Sequence, residues 1–588
     1  MKKLLVFLKD YKKETILSPL FKMLEAGFEL FVPLVMAAVI DKGIYREDVP
    51  YVLKMGLILV LLGLIGLTCS ITAQYFAAKA AVGFSTQLKH SLFEHLQKLS
   101  FTEIDTLGTS TMITRMTSDV NQVQNGVNMV LRLFLRSPFI VFGAMIMAFT
   151  IDVKAALIFV VAIPLLSVVV FGIMMITMPL YKKVQAGLDK VLGRTRENLT
   201  GVRVIRAFHK EEQEIDAFEN SNSELTDIQL FVGKLSALTN PVTFIIVNVA
   251  TVALIYTGAV RVDTGYITQG EVVALVNYMS QILIELIKLA NLIITITKAL
   301  ACANRIQGVF EIQSGMEWKE KKGNEEHKES EGCRNIDGNV HCIDSTAQYV
   351  VEFDHVALTY SGAGAESLSD IDFKVKKGQT IGVIGGTGSG KSSLVHLIPR
   401  FYDATKGSVK IDGKDVKDFS MEELRDKIGM VMQKAVLFQG SIRDNLAWGK
   451  QDATTEEMNR ALEISQAKEF VDAKPGGLDE PIAQGGKNLS GGQRQRLTIA
   501  RAVVKQPEIL ILDDSASALD YATDAKLRKA IREMGDGTTV FIVSQRTSSI
   551  QHADQIIVLD DGRMVGHGTH EELLQECEVY KEIHYSQV

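Results

Sequence analysis

Three long apolar stretches, Met55–Ala78, Ala155–Tyr181 and Leu235–Val260, contain no charged residue. A helix needs about 20 mostly apolar residues to cross the hydrocarbon core of a bilayer, and each stretch is longer than that. Backbone polar groups must be paired inside a segment that crosses lipid, so uninterrupted apolar runs of this length indicate transmembrane helices. This feature excludes a wholly water-soluble fold for the first half of the chain.

Three further stretches of similar length carry a few charges: Ile16–Ile40, Asn128–Ile151 and Glu271–Ile296. Six spans is the economical total, and an even number leaves both ends of this half on one side. The connections Lys89–Arg132 and Lys182–Lys234 are long and rich in Lys and Arg, which favours the cytoplasm. We therefore expect a six-helix domain over residues 1–312 in the cell membrane, with both termini and the soluble half cytoplasmic.

The two long connections are too polar to be membrane loops, and their pattern indicates helices that extend into the cytoplasm. At about 1.5 Å per residue, Lys182–Ala237 predicts two helices of about 40 Å each joined by a turn. We expect two such intracellular hairpins. Arg132 and Arg136 are expected near the cytoplasmic end of the third span.

Charged residues inside the spans are candidates for substrate contacts, because charges are costly in lipid. Lys22, Glu25 and Glu29 follow each other at helical-turn spacing on the first span, and Glu285 and Lys288 do so on the sixth. Each group contains an opposite-charge pair at i,i+3 that can neutralise itself, so self-pairing is the simpler interpretation. Glu29 has the least obvious partner and is the first candidate for a ligand-facing acid. Glu25 and Glu285 complete the candidate substrate cavity.

Residues 313–349 are rich in Glu, Lys, Asn and Gly, a composition that cannot bury a core, and we predict a flexible charged linker there. The five cysteines, of which Cys333 and Cys342 lie in this linker, have neither zinc-site nor disulfide-framework spacing. A net charge of −6 and a pI of about 6.1 give no basic surface for nucleic acid. Residues 350–588 have the composition of an ordinary soluble domain.

The segment "TIGVIGGTGSGKSS" reads as a strand, a glycine loop and a helix, and it matches G-x-x-x-x-G-K-[ST]. In such loops the glycines let backbone N–H groups surround phosphates, Lys391 neutralises the β/γ oxygens, and Ser392 offers its hydroxyl to Mg²⁺. The second strand, "PEILILDD", supplies Asp513 as the acid on the Mg²⁺ side. ATP and Mg²⁺ are therefore the expected cofactors. The residues expected to surround the phosphates are Gly385, Gly386, Thr387, Gly388, Ser389, Gly390, Lys391, Ser392 and Ser393.

A third motif, "NLSGGQRQR" (Asn488–Arg496), resembles the signature of ATP-binding cassette (ABC) proteins. The resemblance covers about residues 350–585. The segments "TRMTSDVNQV" and "TGVRVIRAFHKEEQEIDAF" look like the intracellular loops of six-span exporters of the same family. The implied fold is membrane α-helical, six transmembrane helices of the type I exporter (type IV ABC) kind, plus an α/β P-loop nucleotide-binding domain.

The resemblance also implies roles for individual residues. Tyr360 matches the aromatic residue that stacks on adenine, and Gln433 matches the glutamine that links Mg²⁺ and the attacking water to the membrane domain, giving Ser392, Gln433 and Asp513 as the metal set. The loop after Asp514 is the D-loop: Ser517, Ala518, Leu519 and Asp520. The signature residues, which face the P-loop of another nucleotide-binding domain in this family, are Leu489, Ser490, Gly491, Gly492 and Gln493. One copy of each motif implies that a second chain is required.

The chain departs from the family pattern at three positions. Asp514 occupies the place of the catalytic Glu, Gln545 that of the switch-loop His, and Gln484 that of an acid before the signature. An Asp carboxylate ends about 1 Å short of a Glu carboxylate, and a misplacement of that size can cost about a hundredfold in rate. Glutamine donates a hydrogen bond but cannot carry the positive charge available to His. Drift with activity kept is the alternative, but both losses fall on one chemical step.

These departures favour one subunit of a heterodimer. Its own site binds ATP but hydrolyses it poorly, and its signature completes the competent site of a partner that carries the Glu and the His. The expected function is ATP-driven export of small amphipathic molecules such as drugs across the lipid bilayer. Lipid or peptide export, an ATP-gated or regulatory subunit that does not pump, and a homodimer remain as alternatives.

Overall fold

The structure is a computed structural model that describes residues 3–319, 334–336, 339–341, 349–515, 518–534 and 537–587. The side chains of 334–336 and 339–341 are outside this description. The chain forms two compact units. The first comprises Met1–Gln97 and Thr109–Ile312, and the second comprises Lys98–Gly108 and Gln313–Val588.

Long helices build the first unit. Its helices in chain order are α1 (Lys12–Ala38), α2 (Val49–Lys98), then, after α3 (Phe101–Leu107) of the second unit, α4 (Thr109–Thr114), α5 (Val120–Leu133), α6 (Arg136–Ile151), α7 (Val153–Thr200), α8 (Val202–Ala207), α9 (Glu211–Ala237), α10 (Thr239–Asp263) and α11 (Gln269–Glu311). Among the described residues, 6 helical segments are long and apolar enough to cross a membrane, and each contains one of the predicted spans. The six-span prediction is confirmed.

The second long connection, residues 182–234, consists mostly of helices. The polar ends of α7 and α9 lie side by side, joined by α8. Arg194 of α7 fixes their contact, because its Nη1 donates to the carbonyl of Ala217 (2.7 Å) and to the hydroxyl of Ser221 (3.1 Å) on α9. Asp152 caps the other end of α7 by accepting from the N–H of Ala155 at 2.8 Å.

The third span is interrupted, which its hydropathy did not predict. α5 ends at Leu133 and α6 begins at Arg136. Pro138 lies in the first turn of α6, where the missing N–H of proline needs no helical partner. The break therefore coincides with a proline that begins a helix more readily than it continues one, and it places Arg136 at the start of α6.

Most of the predicted linker lies outside the described residues, namely 320–333, 337–338 and 342–348, and with it Cys333 and Cys342. Between these gaps, β1 (Arg334–Ile336) pairs antiparallel with β2 (Asn339–His341).

The second unit contains an α/β domain. Its strands are β3 (Val351–Leu358), β4 (Leu368–Val375), β5 (Thr380–Gly385), β6 (Lys406–Ile411), β7 (Lys414–Asp415), β8 (Ile428–Val431), β9 (Gly440–Ser441), β10 (Pro481–Ile482), β11 (Ile509–Asp513), β12 (Thr539–Val543), β13 (Gln555–Asp560) and β14 (Arg563–Gly568). Its helices are α3 (Phe101–Leu107), α12 (Lys391–Leu397), α13 (Met421–Asp426), α14 (Ile442–Ala447), α15 (Thr455–Ile464), α16 (Lys468–Asp472), α17 (Gly491–Val503), α18 (Tyr521–Arg532), α19 (Thr547–Ile550), α20 (His570–Glu576) and α21 (Glu578–Tyr585).

The main sheet has the strand order β14-β13-β5-β12-β11-β8, and all neighbours except β14 and β13 are parallel. Every residue of β11 is buried, as expected of a strand covered on both faces. A second sheet, β4-β3-β6-β7, is antiparallel. Because β5, β12 and β11 are parallel neighbours, the loops that follow them meet at one edge of the main sheet, where ligands of open α/β sheets bind.

Helix α3 belongs to the second unit, although the sequence placed it inside residues 1–312. The ring of Phe101 lies 4.5 Å from that of Phe401, measured between centroids. The hydroxyl of Tyr402 donates to Asp105 at 2.7 Å, and the backbone N–H of Gly315 donates to Glu103 at 3.1 Å. These contacts join α3 to residues about 200 to 300 positions later in the sequence.

Candidate active site

The glycine loop between β5 and α12 is shaped by close backbone contacts. A Cβ at Gly385 would lie 2.1 Å from the carbonyl oxygen of Leu559, so only glycine fits there. Gly390 has φ +93°, a left-handed conformation that glycine adopts at little cost, and a Cβ there would lie 2.8 Å from the Ser367 carbonyl. These two positions turn the chain from strand to helix within a few residues and leave the loop backbone facing the pocket.

Lys391, the first residue of α12, folds back over the loop. Its Nζ donates to the carbonyls of Gly385 (2.9 Å) and Gly386 (2.5 Å). Burial lowers the pKa of Lys391, while the neighbouring Asp514 and Asp513 raise it. A phosphate group near Nζ would add negative charge and so favour the protonated, charged form of this partly buried ammonium group.

The hydroxyl of Ser392 and the carboxylate of Asp513 come together although they are far apart in sequence. Ser392 Oγ donates to Asp513 Oδ1 at 2.9 Å, and Asp513 is 1% exposed at the end of β11. These two side chains present oxygen atoms only, the donor type that Mg²⁺ prefers. Together with the side-chain oxygen of Gln433, which lines the same pocket, they fit a Mg²⁺ ion that accompanies a nucleotide.

Asp514 directly follows β11 and has φ +46°, a conformation that Asp tolerates better than most residues. Its Oδ2 accepts a hydrogen bond from Gln433 Nε2 at 3.3 Å. Burial raises the pKa of the Asp514 carboxyl, a shift that the Gln433 hydrogen bond partly opposes. Gln433, assigned to the metal set by family resemblance, is therefore in contact with the acid at the base position.

Gln545 lies in the loop after β12, and its exposed side chain lines the pocket together with Asp514. Its backbone carbonyl accepts a hydrogen bond from Gln587 Nε2 at 2.7 Å. Two of the three positions that depart from the family pattern, Asp514 and Gln545, thus lie on neighbouring loops of one pocket.

The pocket has a volume of about 630 Å³. Tyr360 forms part of its wall, with its hydroxyl donating to Ser393 Oγ at 2.9 Å and its ring 5.0 Å from that of Tyr402. Burial raises the pKa of Tyr360. Of the predicted nucleotide residues, those that line the pocket are Tyr360, Thr387, Gly388, Gly390, Lys391, Ser392, Ser393, Gln433, Asp513, Asp514 and Gln545.

The signature residues are located elsewhere. Ser490 caps α17: its Oγ accepts from the N–H of Gln493 at 3.3 Å, and Gln493 Oε1 accepts from the N–H of Ser490 at 3.0 Å. A Cβ at Gly492 would lie 3.2 Å from the carbonyl of Ala518, which brings signature and D-loop together. Leu489 is buried beneath them. Among the described residues, the lining of the 630 Å³ pocket includes no signature residue.

Of the D-loop, Ser517 lies outside the described residues. Leu519 is buried, and Asp520 caps α18 by accepting from the N–H of Thr523 at 2.9 Å.

In the membrane unit, the predicted self-pairs are present: Lys22 lies 2.6 Å from Glu25, and Lys288 lies 2.8 Å from Glu285. Glu29, whose partner was the least obvious from the sequence, accepts from Arg136 Nη2 at 2.7 Å, and Arg136 Nη1 donates to Glu285 at 2.6 Å. Arg136 is therefore buried between α1 and α11, and both of its acidic partners are distant from it in sequence.

A cavity of about 490 Å³ opens beside this ion network. The side chain of Glu29 is 41% exposed and faces it, whereas that of Glu285 is 3% exposed and accepts a further hydrogen bond from Ser137 at 2.8 Å. The remaining wall is mostly apolar: Phe28, Val32, Met36, Leu59, Leu62, Gly63 and Gly66, with Glu25 and Arg136 completing it.

Sequence reasoning missed two residues at the nucleotide pocket. His396 Nε2 lies 3.4 Å from Asp513 Oδ2, and Gln587 contacts the loop of Gln545. A helical register count from Ser392 could have suggested His396, because i+4 on a helix returns near the same face and Ser392 also contacts Asp513. No local pattern marks Gln587.

An α/β unit with a phosphate loop, a buried acid beside its serine and a unit of six membrane-spanning helices defines a membrane-bound P-loop nucleoside triphosphatase. Family models agree: that of the ABC transporter transmembrane region matches residues 15–286, and that of the ABC transporter matches residues 368–517. The chain belongs to the ABC transporters, and it is an ATP-driven transporter of the exporter class. This confirms the predicted fold class.

Relatives match along most or nearly all of the chain. An ABC transporter ATP-binding protein of Mycobacterium tuberculosis is 36% identical over 585 residues, covering 99% of this chain and 97% of its own. A multidrug export ATP-binding/permease protein of Bacillus subtilis is 32% identical over 592 residues (99% and 98%). An ATP-dependent lipid A-core flippase of Desulfotalea psychrophila is 33% identical over 486 residues (82% and 81%). A bacterial Atm1-family ABC exporter with ATP bound shares the fold, with TM-score 0.76, 22% identity and 97% coverage of both chains.

Proposed function

We propose that this chain is one half of a heterodimeric exporter of small amphipathic molecules, built of a membrane domain (1–312), a linker (313–349) and a cytoplasmic nucleotide-binding domain (350–588). Its own pocket holds ATP and hydrolyses it slowly. Its signature, Leu489–Gln493, completes the faster site of a partner chain. That partner has a Glu after the acid that corresponds to Asp513, and a His in its switch loop. The observation that carries the proposal is the presence of Asp514 and Gln545 in one pocket that retains Lys391 and Asp513.

In this proposal the chain's residues divide the work at the pocket. The loop N–H groups and Lys391 bind the phosphates, Tyr360 packs against the base, and Ser392, Gln433 and Asp513 hold Mg²⁺, which would neutralise phosphate charge. Asp514, oriented by Gln433, can accept a proton from water, but its short side chain holds that water poorly. Gln545 donates to the γ-phosphate without carrying charge. The pocket therefore retains ATP for longer than it turns it over.

The signature acts on a second chain. Ser490 and the N–H groups at the start of α17 form a helix N-terminus that favours an anion. Since this start lies outside the lining of the chain's own described pocket, a partner's γ-phosphate is the natural anion for it.

The proposed substrate site is the 490 Å³ cavity of the membrane unit. Its apolar wall suits a hydrophobic body, and Glu29 offers one acidic edge whose charge Arg136 already balances. A cationic substrate would have to replace the Arg136 contact at Glu29. This exchange limits strong binding to molecules that combine a positive group with enough apolar surface to offset the lost ion pair. A lipid is the second candidate, since a flippase is among the relatives.

The test is purification of the chain from its native membrane, followed by reconstitution. We expect a second ABC half-transporter bearing the Glu and the His to co-purify, and vesicles containing both chains to accumulate an amphipathic dye only with hydrolysable ATP. A conductance opened equally by a non-hydrolysable analogue would identify an ATP-gated channel instead. Rapid ATP hydrolysis by the lone chain would contradict the heterodimer.

A further inference from the structure

The switch loop that carries Gln545 is held by the amide of Gln587. Gln587 Nε2 donates to the carbonyl of Gln545 at 2.7 Å, and Gln587 Oε1 accepts from the N–H of Thr547 at 2.9 Å. The hydroxyl of Thr547 adds a third contact to the same Oε1 at 3.3 Å. One side chain thus pairs with the backbone on both sides of Arg546.

This pairing follows from the conformation of the loop. Arg546 is extended, with φ −100° and ψ +121°, so the carbonyl before it and the N–H after it point to the same side. A glutamine amide offers one donor and one acceptor group at the spacing that such a pair requires. In the opposite orientation, the Gln587 NH₂ group would face the N–H of Thr547 and the Gln587 side-chain oxygen would face the carbonyl of Gln545. The two backbone partners therefore fix the orientation of the Gln587 amide.

Gln587 is itself attached to a well-anchored element. Tyr580 of α21 is fully buried in a cluster that includes Ile550 of α19, and its hydroxyl contacts His570 Nδ1 at 2.7 Å. His584 Nδ1, also on α21, lies 3.2 Å from the hydroxyl of Thr547. The start of α19 is therefore bonded to the residues at and just after the end of α21.

We infer that Gln587 is a positioning residue for the switch loop. Gln587 holds the backbone of Gln545 so that the Gln545 side chain faces the γ-phosphate of ATP. A neutral glutamine makes a weaker hydrogen bond to phosphate than a charged histidine would, and that bond depends on correct geometry. Backbone restraint at this position consequently matters more with Gln545 than with His. The inference rests on ATP occupying the pocket, as the proposed function requires.

Because only ATP has a γ-phosphate, the inference predicts a change in ATP affinity that ADP does not share. The full-length chain in lipid nanodiscs with Mg²⁺ is compared with Gln587→Ala and with Gln587→Met, which keeps the length without the hydrogen bonds. We expect both variants to bind ATP about 3- to 10-fold more weakly, the effect of one hydrogen bond, with ADP affinity unchanged. The matched control is Ser586→Ala, which removes only a local bond to the Ile583 carbonyl.

Two further measurements separate positioning from a structural role. In a Gln545→Ala background, Gln587→Ala should leave the ratio of ATP to ADP affinity unchanged, because the side chain it positions is gone. Amide hydrogen exchange at Thr547 should be faster in both Gln587 variants than in Ser586→Ala.

The inference is overturned, and the proposed function left intact, if the Gln587 variants keep the wild-type ratio of ATP to ADP affinity, whether both affinities fall equally or neither changes. It is also overturned if Gln587→Ala still lowers that ratio by the full amount in the Gln545→Ala background. A wild-type chain that binds neither nucleotide would overturn both.

Discussion

In the proposed function, the carboxylate of Asp514 and the amide of Gln545 decide how fast this pocket can hydrolyse ATP. Asp514 sits in a left-handed conformation beside Gln433, so its reach is set by the backbone as well as by its short side chain. Nothing else described in the pocket departs from a working phosphate site, since Lys391, Ser392 and Asp513 meet as expected.

Lengthening the acid and restoring the charge should revive the site. We expect Asp514→Glu with Gln545→His to raise ATP turnover by up to about a hundredfold, because the base then reaches the water and the switch residue can carry positive charge. Phosphate release is measured in the two-chain complex whose partner lacks its own catalytic Glu.

The single variant Asp514→Glu should give an intermediate rate, and Asp514→Asn should stay at background. Turnover that does not change in the double variant would mean that hydrolysis is limited by something other than these side chains.

The raised pKa of Asp514 predicts an acid-sensitive site. A protonated carboxyl cannot accept a proton, so residual hydrolysis should decline as pH falls, with a midpoint above the ordinary Asp value of about 3.9. The folded state disfavours the ionised form, so this group's contribution to stability is present at low pH and is lost as pH rises through the raised pKa.

A pH–rate profile of the complex with an inactive partner site checks this prediction. The acidic limb should vanish in Asp514→Asn. A rate that stays constant down to the ordinary carboxyl pKa would contradict it.

At the scale of elements, three membrane helices are tied together by one guanidinium group. Arg136 at the start of α6 bonds to Glu29 on α1 and to Glu285 on α11. Removing one partner of a buried ion pair typically costs about 3–5 kcal/mol, because the other charge is left uncompensated. Here Ser137 and Lys288 still bond to Glu285, and Glu29 is partly exposed, so we expect the lower end of that range.

Arg136→Met should therefore lower the thermal unfolding midpoint of the detergent-purified chain by several degrees. Adding Glu29→Gln should restore part of the loss, because Glu29 loses its bond from Arg136 whereas Glu285 keeps those from Ser137 and Lys288. The control is Lys3→Met, which breaks the exposed pair with Glu311 and should have little effect. Equal midpoints for Arg136→Met and Lys3→Met would show that the network does not hold the helices.

The sequence predicted those elements whose signal is local. Apolar length marked the spans, i,i+3 spacing marked the pairs Lys22–Glu25 and Glu285–Lys288, and glycine spacing marked the phosphate loop. The Arg136 network could not be predicted, because α1, α6 and α11 come together only through helix packing. The contact of Gln587 with the switch loop could not be predicted for the same reason, because it forms only when α21 packs on the sheet.

At the scale of the whole molecule, the chain carries a phosphate loop and a signature that do not meet within its own described pocket. In the proposed two-chain complex, Ser490→Ala should lower ATP turnover at the partner's site about 10²–10³-fold, because a donor to the partner's γ-phosphate is lost. ATP binding by the lone chain should not change. Nucleotide binding and phosphate release measured side by side test both statements.

Thr454→Ala is the matched control, since Thr454 caps α15 with the same reciprocal pair of hydrogen bonds to Glu457 and lies outside the pocket lining. It should cost about 1 kcal/mol of stability without affecting turnover. If Ser490→Ala and Thr454→Ala have equal effects on turnover, the signature acts only as a helix cap.

Helix α3 gives the polypeptide an unusual route, because the chain enters the second unit at Lys98, leaves it at Gly108 and enters it again at Gln313. A single protease cut within residues 320–333 would divide the chain into two fragments, and α3 would remain in the amino-terminal fragment. Phe101 and Asp105 of α3 would still contact Phe401 and Tyr402 of the other fragment. The nicked protein should consequently migrate as one particle in a native gel and as two bands only after denaturation.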